Sequence, residues 1–454
     1  MPSPKKILLL NPNIYFYVNR YRTLFPGFSF GDMYPLGLLN LASYLQKNGY
    51  EVKILDALAL RFNEKQVISA IKEYAPDIVG LPHSLYCSFP ALLNTAKLCK
   101  KINPRIITVI GGILPSYMAQ EILANSDAID FIIKGEGEYP LLKLIQSLSS
   151  DGSFNHIKGL AYRGKNLGGS VKEGHNMVSD FNLEPSLIKK LFIASEKLPY
   201  FKKGASILIE ASRGCRYSCK FCIVNDISGS DVRYKKPEDL VGEIEAYLVN
   251  FGVNNFKFID STFTADREFV YKVSEQIMAR NLQKKIKWMC GTRVDCLDES
   301  LLKDMKRAGC YRMLFGVESY SQQDLDYYNK RIILDKVKDA FSLVKEAGIN
   351  TKALLLFNQY KHQELRELKE ESGKLMALLR IIKADDMAYT PLIIYPNTLI
   401  YEDYLKTHAI EKEGWRALLD GHLIPSVFMP EGRILRFVNR VKLSFLASKL
   451  LNRL

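Results

Sequence analysis

The strongest constraint on this chain is that short apolar runs alternate with helical stretches, in two successive series. In the first 150 residues, continuous apolar runs at 5–10, 51–55, 77–81 and 105–110, and a further run within 130–138, have the composition of strands buried on both faces. Between them, 34–50, 62–74, 90–101 and 140–148 carry helical spacing. Strands separated by helices require right-handed crossovers, so this half is expected to be a doubly wound, Rossmann- or flavodoxin-like parallel sheet. Ligands of such sheets sit at the carboxyl ends of the strands. Those ends here carry Asn11, Ser84, Gly111-Gly112 and Gly135-Glu136-Gly137-Glu138.

Residues 151–205 have few long helices and read as a linker with a small hairpin. A second series opens at 206. Strand-type runs at 206–212, 255–260, 286–292, 311–317, 351–357 and 386–394 alternate with helices. Six such units predict a partial (β/α)6 barrel of TIM type over 206–400, with chemistry at the carboxyl ends of its strands. A small helical region, 401–454, closes the chain. No uninterrupted apolar run reaches the length of a spanning helix. The apolar run near the N-terminus is too short for a signal peptide, which reads as a cytoplasmic protein.

Three of the eight cysteines, Cys215, Cys219 and Cys222, fall within eight residues, just after the first strand of the second series. Iron–sulfur clusters need soft thiolates held close together on a loop. Three thiolates leave one iron of a [4Fe–4S] cluster without a protein ligand, free to bind a substrate. Arg213, Arg216 and Lys220 are expected to offset the anionic cluster. A structural zinc site is the competing reading, but it wants four ligands and no second knuckle is visible; a third reading is a set of reduced core cysteines. Cys290, Cys296 and Cys310 are spaced as packing residues rather than as a second cluster.

From residue 206 the sequence resembles the radical SAM (S-adenosylmethionine) superfamily over about 200 residues. The resemblance is carried by Cys215-x3-Cys219-x2-Cys222 with Phe221 before the last cysteine, by the segment 258–266 containing Asp260, and by 291–319. It implies that Phe221, Asp260, Arg293 and Glu318 line the SAM site. The first half resembles the cobalamin-binding domain that precedes the barrel in one large subgroup. Here the matching pieces are Pro35 and Gly37 in 34–38, Gly111-Gly112, and Gly135 to Glu138. Glycines there would let the backbone approach the corrin. The motif that supplies a lower axial histidine is absent after the first strand. Departures from the subgroup at 357–361 and 395–398 suggest an unusual substrate.

The resemblance implies a [4Fe–4S] cluster, SAM and cobalamin as cofactors, and an electron donor such as flavodoxin or ferredoxin. The expected reaction is methyl transfer from cobalamin to an unactivated carbon of a small-molecule or lipid-like substrate. Such a carbon offers no handle for acid–base chemistry. A non-methylating cyclisation, rearrangement or oxidation on the same architecture is the alternative. The net charge of +14 is spread out except in 433–454, which has helical periodicity, six Lys/Arg and no acid. That segment either packs on the barrel, the preferred reading, or makes peripheral contact with an anionic membrane. No nucleic-acid-binding module is visible.

Overall fold

The computed structural model describes residues 6–14, 34–83, 88–150, 153–164, 177–202, 204–358, 360, 365–395, 398–407 and 431–451. Ser84, and four residues of the two departures at 357–361 and 395–398 (Gln359, Lys361, Pro396, Asn397), lie outside them.

The first sheet comprises β1 (Lys6–Asn11), β2 (Glu51–Asp56), β3 (Ile78–His83), β4 (Ile107–Gly112), β5 (Phe131–Ile133) and β6 (Leu160–Tyr162), in the order β2-β1-β3-β4-β5-β6. The first five are parallel, as the buried apolar runs require. The strand order reverses between β1 and β3, which opens a crevice at their carboxyl ends. Local chemistry sets the helix limits. Asn63 and Gln66 form a reciprocal capping box before the helix Glu64–Tyr74, and left-handed Ala75 ends it.

Two expectations need correction here. The strand-like piece in the linker forms no separate hairpin: β6 pairs antiparallel with β5 and extends the sheet. In 130–138 only Phe131–Ile133 is strand, because Gly135 adopts a positive φ and the next helix starts at Glu138, not Pro140.

The second sheet contains β7 (Ser206–Ile209), β10 (Asn255–Phe258), β11 (Lys287–Thr292), β12 (Cys310–Glu318), β13 (Asn350–Phe357) and β14 (Asp386–Pro391). All are parallel and sequential, in the order β14-β13-β12-β11-β10-β7. This is the expected six-stranded partial barrel. Pro237 opens the helix Pro237–Phe251, and Gly252 ends it in the left-handed region. The expected strand 206–212 is shorter than its apolar run. It stops at Ile209, and β8 (Ser212–Arg213) turns off to pair antiparallel with β9 (Arg233–Tyr234). That two-stranded clip frames the cysteine loop.

The C-terminal helix Glu431–Leu451 packs on the barrel. Ile434, Val438, Val441 and Phe445 are buried, and the Phe437 ring lies 5.0 Å from that of Phe357. Among the described residues no helix is long and apolar enough to cross a membrane.

Candidate active site

Cys215, Cys219 and Cys222 sit on the loop between β8 and a short helix, Val224–Ser228, as partly exposed free thiols. Gly214 starts the loop at φ +97°, where a Cβ would meet the Asp231 carbonyl oxygen at 2.6 Å. Only glycine passes this point. The backbone closes the loop on itself, Cys215 N donating to Gly229 O at 3.1 Å. It is also tied to the segment after β12: Lys220 N donates to Tyr328 O (2.9 Å), and the Asn329 amide donates to Ser218 O (2.9 Å). Phe221 packs edge-on against Tyr328, with ring centroids 5.4 Å apart.

Each loop cation has a partner of its own. Arg213 is buried among carboxylates, pairing with Glu138 (2.8 Å), Glu210 (2.9 Å) and Glu136 (3.4 Å). Lys220 pairs with Asp403, and Arg216 donates to Ala265 O at 2.8 Å. The cations that act on the thiols come from further along the chain. Burial raises the Cys219 thiol and pushes Cys222 up to about 11, and the Lys330 charge opposes both shifts, joined by Arg293 at Cys219. Lys330 was missed from the sequence. Its signal is its place beyond the turn after β12, a position that only the folded loop brings beside residue 219.

Three of the four expected SAM contacts surround this loop. Arg293 is buried, bonded twice to Asp295 (2.8 Å each), with its guanidinium 3.9 Å from the Tyr217 ring centre. Its Nη1 is buried without a hydrogen-bond partner among the described residues. Glu318 ends β12 at φ +66° and accepts from Lys330 Nζ at 2.8 Å. Gly316 leaves room for that pair, since a Cβ there would strike Glu318 Oε1 and Lys330 Nζ. Asp260 is different. It is buried between β7 and β10, accepts from Ser212 Oγ (2.5 Å) and Ala211 N (3.3 Å), and is raised by burial to about 6. Its side chain holds the clip in place.

Nine of the ten expected cobalamin contacts line one cavity of 450 Å³ at the carboxyl ends of the first sheet: Asn11, Pro35, Gly37, Gly111, Gly112, Gly135, Glu136, Gly137 and Glu138. The tenth, Ser84, is outside the described residues. Leu208, Glu210, Arg213, Ser228 and Ile259 from the barrel half form the opposing wall. Nothing lies within 4 Å of where a Gly37 Cβ would stand, so this glycine leaves open space for a ligand. Gly112, at φ +104°, is required by its own backbone, because a Cβ would strike the His83 carbonyl. Glu136 and Glu138 line the cavity, but their carboxylates are committed to arginines: Glu138 and Glu136 to Arg213, and Glu136 to Arg233 (2.5 Å). Asn11 is held by Asp56, to which it donates at 2.9 Å.

Cys290 and Cys310 are buried neighbours in β11 and β12, whereas Cys296 contacts Tyr217 Oη at 3.0 Å. They do not assemble as a second cluster site. Among the described residues no three His, Cys, Asp or Glu side chains converge on a single ion.

A doubly wound sheet with its glycine-lined edge facing a three-thiol loop on a partial barrel defines a class of two-domain α/β proteins. Residues 29–145 match the B12 binding domain family, and residues 209–371 match the Radical SAM superfamily. The chain thus carries a B12-binding domain followed, in order, by a radical SAM domain. It is similar to an uncharacterized methyltransferase of Pyrococcus horikoshii, 29% identical over 386 residues, covering 84% of this chain and 81% of that protein. It is also similar to the anaerobic magnesium-protoporphyrin IX monomethyl ester cyclase of Rubrivivax gelatinosus, 30% identical over 370 residues, covering 80% of this chain but only 65% of the cyclase. Among solved structures, the methyltransferase TsrM from Kitasatospora setae with cobalamin and a [4Fe–4S] cluster bound has the same fold. It has TM-score 0.67 and 20% identity, covering 90% of this chain and 76% of that one.

Proposed function

We propose that this protein is a cobalamin-dependent radical SAM methyltransferase acting on an unactivated carbon of a small molecule. The observation that carries the reading is the shared cavity. The glycine-lined edge of the first sheet forms one wall, and Arg213 and Ser228, which flank the cysteine loop, belong to the other. The donor set fits the cofactors. Three soft thiols on one loop suit a cluster with one open iron better than structural zinc, which wants four ligands. The open space at Gly37 suits a flat ligand lying against the sheet edge. When bound, the cluster and SAM supply a radical able to attack an inert C–H bond, and cobalamin supplies the methyl group.

The chain's own residues then do the positioning. Cys215, Cys219 and Cys222 hold the cluster, with the Lys330 charge beside it. Buried Arg293 Nη1 offers a donor to an anionic group at the open iron, and the Glu318–Lys330 pair forms the adjoining wall. Gly37, Gly111 and Asn11 provide the cobalamin surface, while Glu136 and Glu138 fix the facing loop through Arg213. We place the protein in the reducing cytoplasm, with flavodoxin or ferredoxin as electron donor. The buried apolar face of the C-terminal helix favours barrel packing over membrane contact. The relatives named as cyclases support a second reading, a non-methylating reaction at the same site.

The test is anaerobic reconstitution with iron, sulfide and hydroxocobalamin, then desalting and metal analysis. About four irons per chain with retained cobalt is the expected result. Zinc without sulfide would overturn the proposal, and four irons without cobalt would remove methylcobalamin from it. A product heavier by one methylene unit separates methylation from cyclisation.

A further inference from the structure

The concave face of the barrel carries a group of cations that the cofactor sites do not use. Strand register fixes which side chains share this face. Leu208, which lines the cavity between the two halves, pairs with Lys257. Lys257 pairs in turn with Met289, and Met289 with Arg312. Directly paired residues of a parallel sheet point to the same side. Arg312 pairs with Asn350, two residues before Lys352, and Lys352 pairs with Asp386. Lys257, Arg312 and Lys352 therefore stand together on the inner face, each the third residue of its strand. Lys442 of the C-terminal helix lies within electrostatic reach of Lys352 and Asp386.

Among the described residues, Lys352 and Arg312 share one acid, Asp386, at 2.8 Å and 3.8 Å. One carboxylate does not satisfy these cations. Arg312 Nε is buried without a hydrogen-bond partner, and Lys257 makes no hydrogen bond or ion pair among the described residues. Burial and the nearby Lys352 charge depress the Lys257 ammonium. Leaving charges half-buried and under-compensated costs stability unless a ligand completes them. Toward the cluster end the face is mainly apolar, with Thr390 beside Leu356. Leu354 and Leu356 follow Lys352 on the same side of β13, and Leu314 stands beside Lys352 on β12. From Lys352 to Phe357 at the cluster end, the strand climbs five residues, about 17 Å.

We propose that Lys257, Arg312 and Lys352 form an anion subsite of the substrate pocket. It receives a carboxylate or phosphate group of an otherwise apolar substrate whose body runs up the leucine wall toward the cysteine loop. This substrate class rests on the functional reading above. The group explains what a radical reaction at an inert carbon otherwise lacks, a polar anchor remote from the reacting atom that sets which carbon faces the cluster.

The test is calorimetric titration of the full chain with two probes, hexyl phosphate and hexanoate. Saturable binding of at least one is expected, and the tighter probe identifies the head group as phosphate or carboxylate. Lys257→Met and Lys352→Met should each weaken it about tenfold or more, because each removes a charge-assisted hydrogen bond. Lys257→Arg and Lys352→Arg should retain it, which separates lost charge from misfolding. A wild-type chain that binds neither probe, or methionine variants that bind as tightly as wild type, would overturn the subsite. Iron and cobalt content of the same wild-type preparation reports separately on the cofactors. Probe binding without iron keeps the subsite and removes the radical SAM reading; both cofactors without probe binding do the reverse.

Discussion

Asp56 illustrates how single buried groups set the behaviour of this fold. It lies at the carboxyl end of β2, almost fully buried, and accepts from Ala59 N, Asn11 Nδ2 and Tyr200 Oη. Burial outweighs these bonds and raises it to about 6. An unfolded aspartate titrates near 3.9. Between about pH 4 and pH 6 the folded chain therefore keeps a proton that the unfolded chain has released. Stability falls as pH rises through this window and stays lower above it. The two-unit gap corresponds to at most about 3 kcal/mol. Asp260 is raised to the same region and buried Glu243 is raised as well, so Asp56→Asn should make the slope between pH 4 and 7 shallower without abolishing it. Denaturant unfolding of the apoprotein across that range measures it, and an unchanged slope would contradict the assignment. Gly112 gives a sharper expectation. Its φ of +104° and ψ of −169° are open essentially to glycine alone, and a Cβ would strike His83. Gly112→Ala should cost about 3 kcal/mol or more in thermal unfolding and reduce cobalt retention, since the same residue shapes the cavity floor.

At the scale of elements, the C-terminal helix shows what periodicity reveals and what it hides. Its sequence is a basic helix with apolar residues around much of its circumference, which fits a membrane surface or a barrel equally well. The fold decides it: Ile434, Val438, Val441 and Phe445 fall on one side and pack, while Leu443 and Leu446 remain exposed. Phe437→Ala should lower stability by about 2–3 kcal/mol, somewhat less than a fully buried ring, because it opens a gap beside Phe357 and Tyr389. Sedimentation with anionic liposomes should not change. Weaker liposome binding at unaltered stability would return the helix to the membrane. Strands were legible for a related reason. Buried parallel strands are continuous apolar runs, so their positions were visible, but their ends were not. The run at 206–212 reads as one strand, yet it breaks at Glu210 because Arg213 must turn toward Glu136 and Glu138. Chain patterning does not encode an ion pair made 77 residues away.

That ion pair governs the whole molecule. The cysteine triplet and the glycine motifs were readable because each lies in a few consecutive residues. The roles of Glu136, Lys330 and the inner-face cations were not, because they depend on partners from other strands. Glu136 is the clearest case. Its place in the motif suggests a cobalamin contact and it lines the cavity, and its carboxylate also joins Arg213 before the cysteine loop to Arg233 on the other strand of the clip. All three side chains are largely buried. Removing Glu136 takes from Arg233 its carboxylate partner among the described residues while Arg213 keeps Glu138 and Glu210, so the cost should fall at or below the low end of the about 3–5 kcal/mol typical of a broken buried pair. Glu136→Gln keeps the shape and removes the charge, so the loss should fall on the contact between the two halves and not on either core. Calorimetry of the wild type should show the halves melting together, and the variant should show the barrel half separating at lower temperature. Iron retention should fall more than the content of regular structure, since Arg213 precedes Cys215 by two residues. A variant that melts as one unit at the wild-type temperature would show that Glu136 serves the cavity alone.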